Sequence, residues 1–246
     1  MKKFGFTVVE TLATILVIGV LASIVLPTFV TESKKQINAN SLSNAISTFE
    51  LAMTTYMHRE GVEDILDTGA WRVLLNNGIY SLDDETADGT INSFIGNLGS
   101  SFKVRGFNTD STSYKTLSGG EFSNDALSNA VTLVAKNGVE YKIFANQISK
   151  ANAKPESDAL LANVNYTNRA AVVFIDVNGK SLPNAIGRDL FWFDLGTDGR
   201  LYPFGSRDYC FYNNVAYNDV KLRCKTIRAG EYCAVYLMEN SYKMDY

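Results

Sequence analysis

Hydrophobic positions follow three different patterns along the chain. From Leu12 to Val30 the sequence is predominantly apolar and carries no charge. That run approaches the roughly 20 residues needed to cross a bilayer core. Beyond Pro27 the pattern becomes one-sided. Leu42, Ala45, Ile46, Phe49, Ala52, Met53 and Tyr56 recur at steps of three and one, the period of a helix with one apolar face. Asn38, Asn40, Ser41, Ser43, Asn44, Ser47 and Thr48 fill much of the opposite face, and Gly61 is a stop signal. The spacing carries this helix to about Arg59, and counted from Phe6 it is on the order of 80 Å long at 1.5 Å per residue. Its membrane half covers residues 6–30, and the helical region as a whole 6–60. Pro27 removes one helical hydrogen bond and is a candidate kink. Gly19 reads either as the glycine commonly tolerated in membrane helices or as a point of local melting.

The third pattern, in residues 61–246, is strand-like and predicts one globular head domain. Residues 70–78, ending in Gly78, suggest a short helix with a glycine cap. Residues 80–125 read as loops with short elements. AVTLVAK (130–136) and VEYKIFA (139–145) flank Asn137-Gly138, the dipeptide favoured in type I′ turns, and predict a hairpin. Residues 147–168 read as a polar connection. AAVVFIDV (170–177) and DLFWFDL (189–195) read as buried strands, with LYPFG (201–205) after a Thr197-Asp198-Gly199 turn. The C-terminal segment suggests a helix around 230–240 and a final short strand. Helix first and antiparallel sheet afterwards is an α+β class, with the sheet packed on the second half of the long helix.

Composition narrows the function classes. Lys and Arg total 23 against 26 Asp and Glu, so the net charge is -3 and no basic excess points to nucleic acid. The apolar fraction of 46% in 246 residues is ample for a core. The three cysteines, Cys210, Cys224 and Cys233, cluster near the C-terminus, which suits one disulfide in an exported domain and leaves all three pairings open.

The N-terminus poses a specific problem. Lys2 and Lys3 precede the apolar run, whereas Glu32, Lys34 and Lys35 follow it. The positive-inside tendency therefore places Met1 in the cytoplasm and the bulk of the chain outside. A cleaved secretory signal would have a shorter apolar run, no carboxylate at Glu10 and a better cleavage site than Ala22-Ser23. A plain anchor explains the length but gives Glu10 no purpose, although an unpaired charge in a membrane helix is costly.

The segment resembles the N-terminus of type IV pilins and of the pseudopilins of type II secretion. The resemblance is carried by the basic leader MKKFG ending in Gly5, then Phe6, Thr7-Val8-Val9-Glu10-Thr11-Leu12, the apolar run and Pro27, within residues 1–30. It implies removal of leader residues 1–5 by a prepilin peptidase cutting between Gly5 and Phe6, and N-methylation of Phe6. It also implies that Glu10, one turn further on, faces the Phe6 amine of a neighbouring subunit and sets the register of assembly. The implied partners are the peptidase, other pilin or pseudopilin subunits and an inner-membrane assembly platform. The implied location is the bacterial inner membrane, single-pass, and then a pilus or pseudopilus. A weaker similarity of residues 174–205 to some larger pilin-like proteins supports a single pilin-type head. Alternatives within this frame are a minor pilin that caps or initiates a filament and a membrane-anchored binding protein that never polymerises.

Other chemistry has thin support. Asp176-Val177-Asn178-Gly179 is similar to the start of a calcium loop, and Asp176, Asn178 and Asp189 are the candidate ligands. The closing glutamate of such loops is missing. The competing reading is an Asn-Gly turn with a side-chain hydrogen bond from Asp176. No cofactor is otherwise required. Nucleophile-elbow, zinc-protease, P-loop and dinucleotide-binding motifs do not occur, and His58 is the single histidine, so no enzyme activity is expected. A cleft joining Asp176, Asp189 and Asp194 would be the feature that revived one.

Overall fold

The computed structural model describes residues 7–69, 71, 104–107, 112–128, 130–144, 169–205, 222–227 and 230–246. The chain divides into two compact units, Met1–Ile37 and Asn38–Tyr246. One helix, α1 (Val8–Glu60), runs through both, with Pro27 inside it. Apolar periodicity up to the Gly61 stop locates the C-terminal end of this element to within one residue.

Within the first unit, the apolar side chains of α1 contact little else. Val8, Leu12, Ile15, Leu16, Ile18, Ile24 and Phe29 are all exposed. The hydroxyls in this stretch are satisfied locally. Thr11 Oγ1 donates to Thr7 O, Thr14 Oγ1 to Glu10 O, Ser23 Oγ to Val20 O and Thr28 Oγ1 to Val25 O, all at 2.7–2.9 Å. A side chain that returns its proton to its own helix brings no unsatisfied donor into an apolar medium. The stretch is long and apolar enough to cross a membrane.

The second unit is α+β. Its main sheet is built from β1 (Val104–Phe107), β4 (Val131–Ala135), β5 (Glu140–Phe144), β6 (Arg169–Asp176), β7 (Leu190–Gly196) and β8 (Leu201–Pro203). These six antiparallel strands lie in the order β1-β4-β5-β6-β7-β8. A two-stranded hairpin of β2 (Tyr114–Lys115) and β3 (Glu121–Phe122) lies apart from it in the pairing scheme, followed by the one-turn helix α2 (Asp125–Ser128). A π turn at Arg223–Ile227 and helix α3 (Cys233–Glu239) follow the sheet.

Alternation along the strands builds two layers of core. Leu133, Tyr141, Ile143, Val173, Ile175, Phe191, Phe193 and Leu195 join Leu42, Ile46, Phe49, Met53 and Tyr56 of α1 in one cluster. On the other face, Val172, Phe174 and Leu190 pack with Tyr114, Phe122 and Ile186. Both faces of the sheet are thus covered, which is why β6 and β7 read as continuous apolar runs. The amphipathic half of α1 is tied to the sheet by directed contacts as well. Tyr141 Oη donates to Ala45 O at 3.1 Å, and Leu201 N–H to Glu50 Oε1 at 3.0 Å. The β7–β8 turn approaches α1 closely. Gly199 sits at φ +78°, and a Cβ there would stand 2.9 Å from Met57 Sδ.

Two sequence expectations change. The β4–β5 turn is not type I′, because Gly138 has positive φ and Asn137 does not. Gly138 N–H bonds to Ala135 O and Ala135 N–H to Val139 O, which makes a type I turn closed by a glycine bulge. Only one residue then needs the left-handed region. The expected final strand is absent among residues 240–246, whose chain forms turns after α3. The stretch 80–125, read as loops with short elements, holds β1, β2, β3 and the start of α2 among its described residues, each too short to show a period. The expected short helix at 70–78, apart from the buried Trp71, and the connection at 147–168 lie outside the described residues.

Candidate functional site

Two places hold the residues singled out by sequence. The first is the start of α1. Gly5 and Phe6 lie outside the described residues, but Glu10 is placed. Its Oε2 accepts the backbone N–H of Thr7 at 2.8 Å and the Thr7 hydroxyl at 2.9 Å, and Glu10 N–H donates to Thr7 Oγ1 at 3.3 Å. This is a capping box: the residue at the cap and the one three places later satisfy each other's orphan backbone donors. The pattern Thr-x-x-Glu is legible in the sequence, and Thr7 is the member that sequence reasoning missed. Glu10 therefore has a local task in a single chain, independent of any neighbour. Gly19 has no atom within 4 Å of where a Cβ would stand, so no contact inside the chain requires glycine there. Pro27 lies within continuous helix.

The second place is a buried polar group on the outer face of the sheet. Glu140 of β5 stands directly opposite Asp176 of β6. Asp176 Oδ2 accepts the Tyr114 hydroxyl at 2.6 Å, and Oδ1 accepts Asn178 N–H at 3.2 Å. Glu140 Oε2 pairs with Lys142 Nζ at 3.0 Å, both side chains almost fully buried. Asp189 accepts Ala185 N–H at 2.6 Å and Asn184 N–H at 2.7 Å, with a further bond from the Asn178 side chain. Asp176, Asn178 and Asp189 are thus brought together, and the Asp176–Asn178 contact is the side-chain turn that competed with a calcium loop. Both Asp176 oxygens accept protein donors. Among the described residues no three His, Cys, Asp or Glu side chains surround a common metal position. Asp194 is buried opposite Val172, four residues along the β6–β7 ladder from the Asp176–Leu190 pair, or about 13 Å at 3.3 Å per residue. At that separation its carboxyl is not in contact with that of Asp176.

Burial pushes the Asp176 carboxyl up to about 7, with the nearby carboxylates of Asp189 and Glu140 adding to the rise and the Tyr114 and Asn178 bonds opposing it. Burial also raises Asp189, against its backbone bonds from Ala185 and Asn184. Glu140 and Lys142 alternate with apolar residues in β5, a pattern that normally marks a solvated strand face. They are buried because the β2–β3 hairpin covers that face, a long-range fact no local pattern carries.

The cysteine pairing left open by sequence is Cys224–Cys233, joining the π turn to α3; Cys210 lies outside the described residues. Closing a loop with a separation of nine residues removes unfolded-state entropy equivalent to about 2–3 kcal/mol. Cys224→Ser with Cys233→Ser is expected to lower unfolding stability by that amount. Denaturant titration of the variant beside the oxidised chain checks this, and equal midpoints would show that the link contributes nothing.

Comparison with protein-family models, with curated proteins and with solved structures gives no match, so functional assignment rests on the residues themselves.

Proposed function

We propose that this chain is a pilin-type structural subunit: anchored in the inner membrane by α1, trimmed after Gly5, and assembled through the same helix into a pilus or a secretion pseudopilus. The observation that carries the reading is a single carboxylate, Glu10, near the start of an otherwise apolar first part of α1, residues 8–30, whose large apolar side chains are exposed. A surface of this kind is covered either by lipid or by copies of itself. Packing of such helices supplies the association energy, while a buried charge favours the one register in which it is paired. Cleavage after Gly5 would place a cationic amine on Phe6, within reach of the Glu10 of an adjoining copy. The α+β head forms the outer surface. The partners under this reading are the prepilin peptidase, the assembly platform and other subunits, and no cofactor is needed.

The Thr7–Glu10 cap favours a second reading, a monomeric anchored domain in which Glu10 serves only its own helix. Two substitutions separate the readings. Glu10→Gln keeps the capping geometry, since glutamine serves in the same box, but removes the charge. Thr7→Val removes the cap and keeps the charge. In the host, intact mass and N-terminal sequencing should show a mature chain beginning at methylated Phe6. Glu10→Gln should be processed yet absent from sheared filaments, and Thr7→Val should still assemble. Glu10→Gln filaments at wild-type yield would reduce Glu10 to a cap, and a mature chain that retains Met1 would remove the pilin reading.

A further inference from the structure

A cavity of about 220 Å³ opens on the head domain between the β2–β3 hairpin with α2 and the β4–β5 ladder. The pilin-type reading makes no use of it. Its inner boundary includes Thr132 and Lys142, directly opposed across β4 and β5 and only 3% and 4% exposed. Hydroxyl and amide groups of Thr112, Ser123, Asn124 and Ser128 line the polar side, and Phe122 and Leu127 contribute an apolar one.

The chemistry of these groups selects a ligand class. Asn124 Oδ1 is occupied by the N–H groups of Ala126 and Leu127, at 2.9 and 3.2 Å, so the side-chain amide meets a ligand as a donor. Ser128 Oγ donates to Asn124 O at 3.1 Å and meets a ligand as an acceptor. The Lys142 ammonium is already paired with Glu140 at 3.0 Å and lies 5.8 Å from the centre of the Tyr114 ring. With Glu121 also on the lining, the formal charge around the cavity shows no positive excess, so an anion gains nothing there. A cation gains nothing either, because the Glu121 carboxylate and the Lys142 ammonium on the lining offset one another. A neutral ligand whose groups both donate and accept fits mixed donors and acceptors of this kind, and a hydroxyl is such a group. The Phe122 and Leu127 side suits C–H surface. The volume is below the roughly 300–1,000 Å³ of cavities for drug-sized ligands and suits a single ring.

The geometry points to a binding site for one neutral sugar ring, with Thr132 and Lys142 at its base and Ser123 and Asn124 at its side. The site belongs to the head and does not depend on whether the chain polymerises. The test is saturation-transfer NMR on the full chain in detergent micelles, with D-galactose, methyl α-D-mannoside and N-acetyl-D-glucosamine as neutral probes and N-acetylneuraminic acid as a charged one. At least one neutral probe should bind in the millimolar range. Thr132→Val should weaken it about tenfold, the equivalent of one hydrogen bond of about 1.4 kcal/mol. Ser123→Ala, at an exposed residue that carries little folding risk, should weaken it severalfold, and Thr48→Val on α1 should leave it unchanged. The proposal fails if none of the neutral probes binds, if the charged sugar binds best, or if binding survives both cavity substitutions.

Discussion

Phe49→Ala is expected to lower the unfolding stability of the head domain by about 3–5 kcal/mol, the range for truncating a fully buried aromatic side chain. Phe49 has no exposed surface and lies 5.4 Å, centroid to centroid, from Tyr141 of β5. It stands in the middle of the α1 face that continues through Leu42, Ala45, Ile46, Ala52, Met53 and Tyr56. Loss of its ring leaves a cavity between helix and sheet. Partial collapse is resisted because Tyr141 is held by its hydroxyl to Ala45 O. Thr48→Ala is the control. Thr48 is exposed and its hydroxyl donates within the helix, to Asn44 O, so a change within about 0.5 kcal/mol is expected. Denaturant unfolding of the full chain in detergent, followed by tryptophan fluorescence, reads both, since Trp71 is buried in this same cluster. Equal small shifts from the two variants would mean that the second half of α1 is not part of the head's core.

What the sequence makes legible follows the range of the physical signal. The α1 helix and strands β4 to β8 are written in local periodicity, and each lies near the bounds that periodicity predicts. Glu10 stands out because a charge in an apolar run is conspicuous, and its bond to Thr7 is equally local, since Thr-x-x-Glu is the pattern of a capping box. The β2–β3 hairpin is invisible, with strands of two residues each. That one omission hides most of the outer face. Tyr114, Glu140 and Lys142 look like surface residues until the hairpin is laid over them, and the cavity exists only because it is there. The Cys224–Cys233 pairing, too, depends on where α3 docks rather than on spacing. The Asp176–Asn178–Asp189 grouping is legible as a set but not as an arrangement, because the donors that occupy it come from Tyr114, Asn184 and Ala185.

Asp176 gives the second large effect, a stability that falls as pH rises. Its carboxyl is pushed up to about 7 in the folded chain, chiefly by burial, from an ordinary value of 3.8. Between those values the native state holds a proton that the unfolded chain releases. Stability therefore decreases with rising pH across this window, and the contribution is flat below about 4 and above about 7. Each tenfold gain in proton affinity is worth roughly 1.4 kcal/mol, so the ionised form costs up to about 4 kcal/mol relative to the protonated one. Asp189, raised by burial, slopes the same way. Asp245, lowered through its bonds with Lys225 and Tyr236, acts in the opposite sense, and only in a window below its ordinary value. The groups facing Asp176 are Tyr114 on the hairpin, Glu140 on β5, and Asn178 and Asp189 on the loop that follows β6. None is a cation, and the nearby ammonium of Lys142 is bonded to Glu140. Asp176→Asn keeps the shape: its oxygen can accept Asn178 N–H while its amide donates to Tyr114 Oη. The variant should match the wild type near pH 4, exceed it in stability at pH 8, and lose most of the slope between. Denaturant midpoints at those two pH values decide it. A variant that keeps the full slope would place the buried proton on Asp189 instead, and a wild type whose stability rises from pH 4 to 8 would show that Asp176 is ionised throughout and stabilised by its two hydrogen bonds.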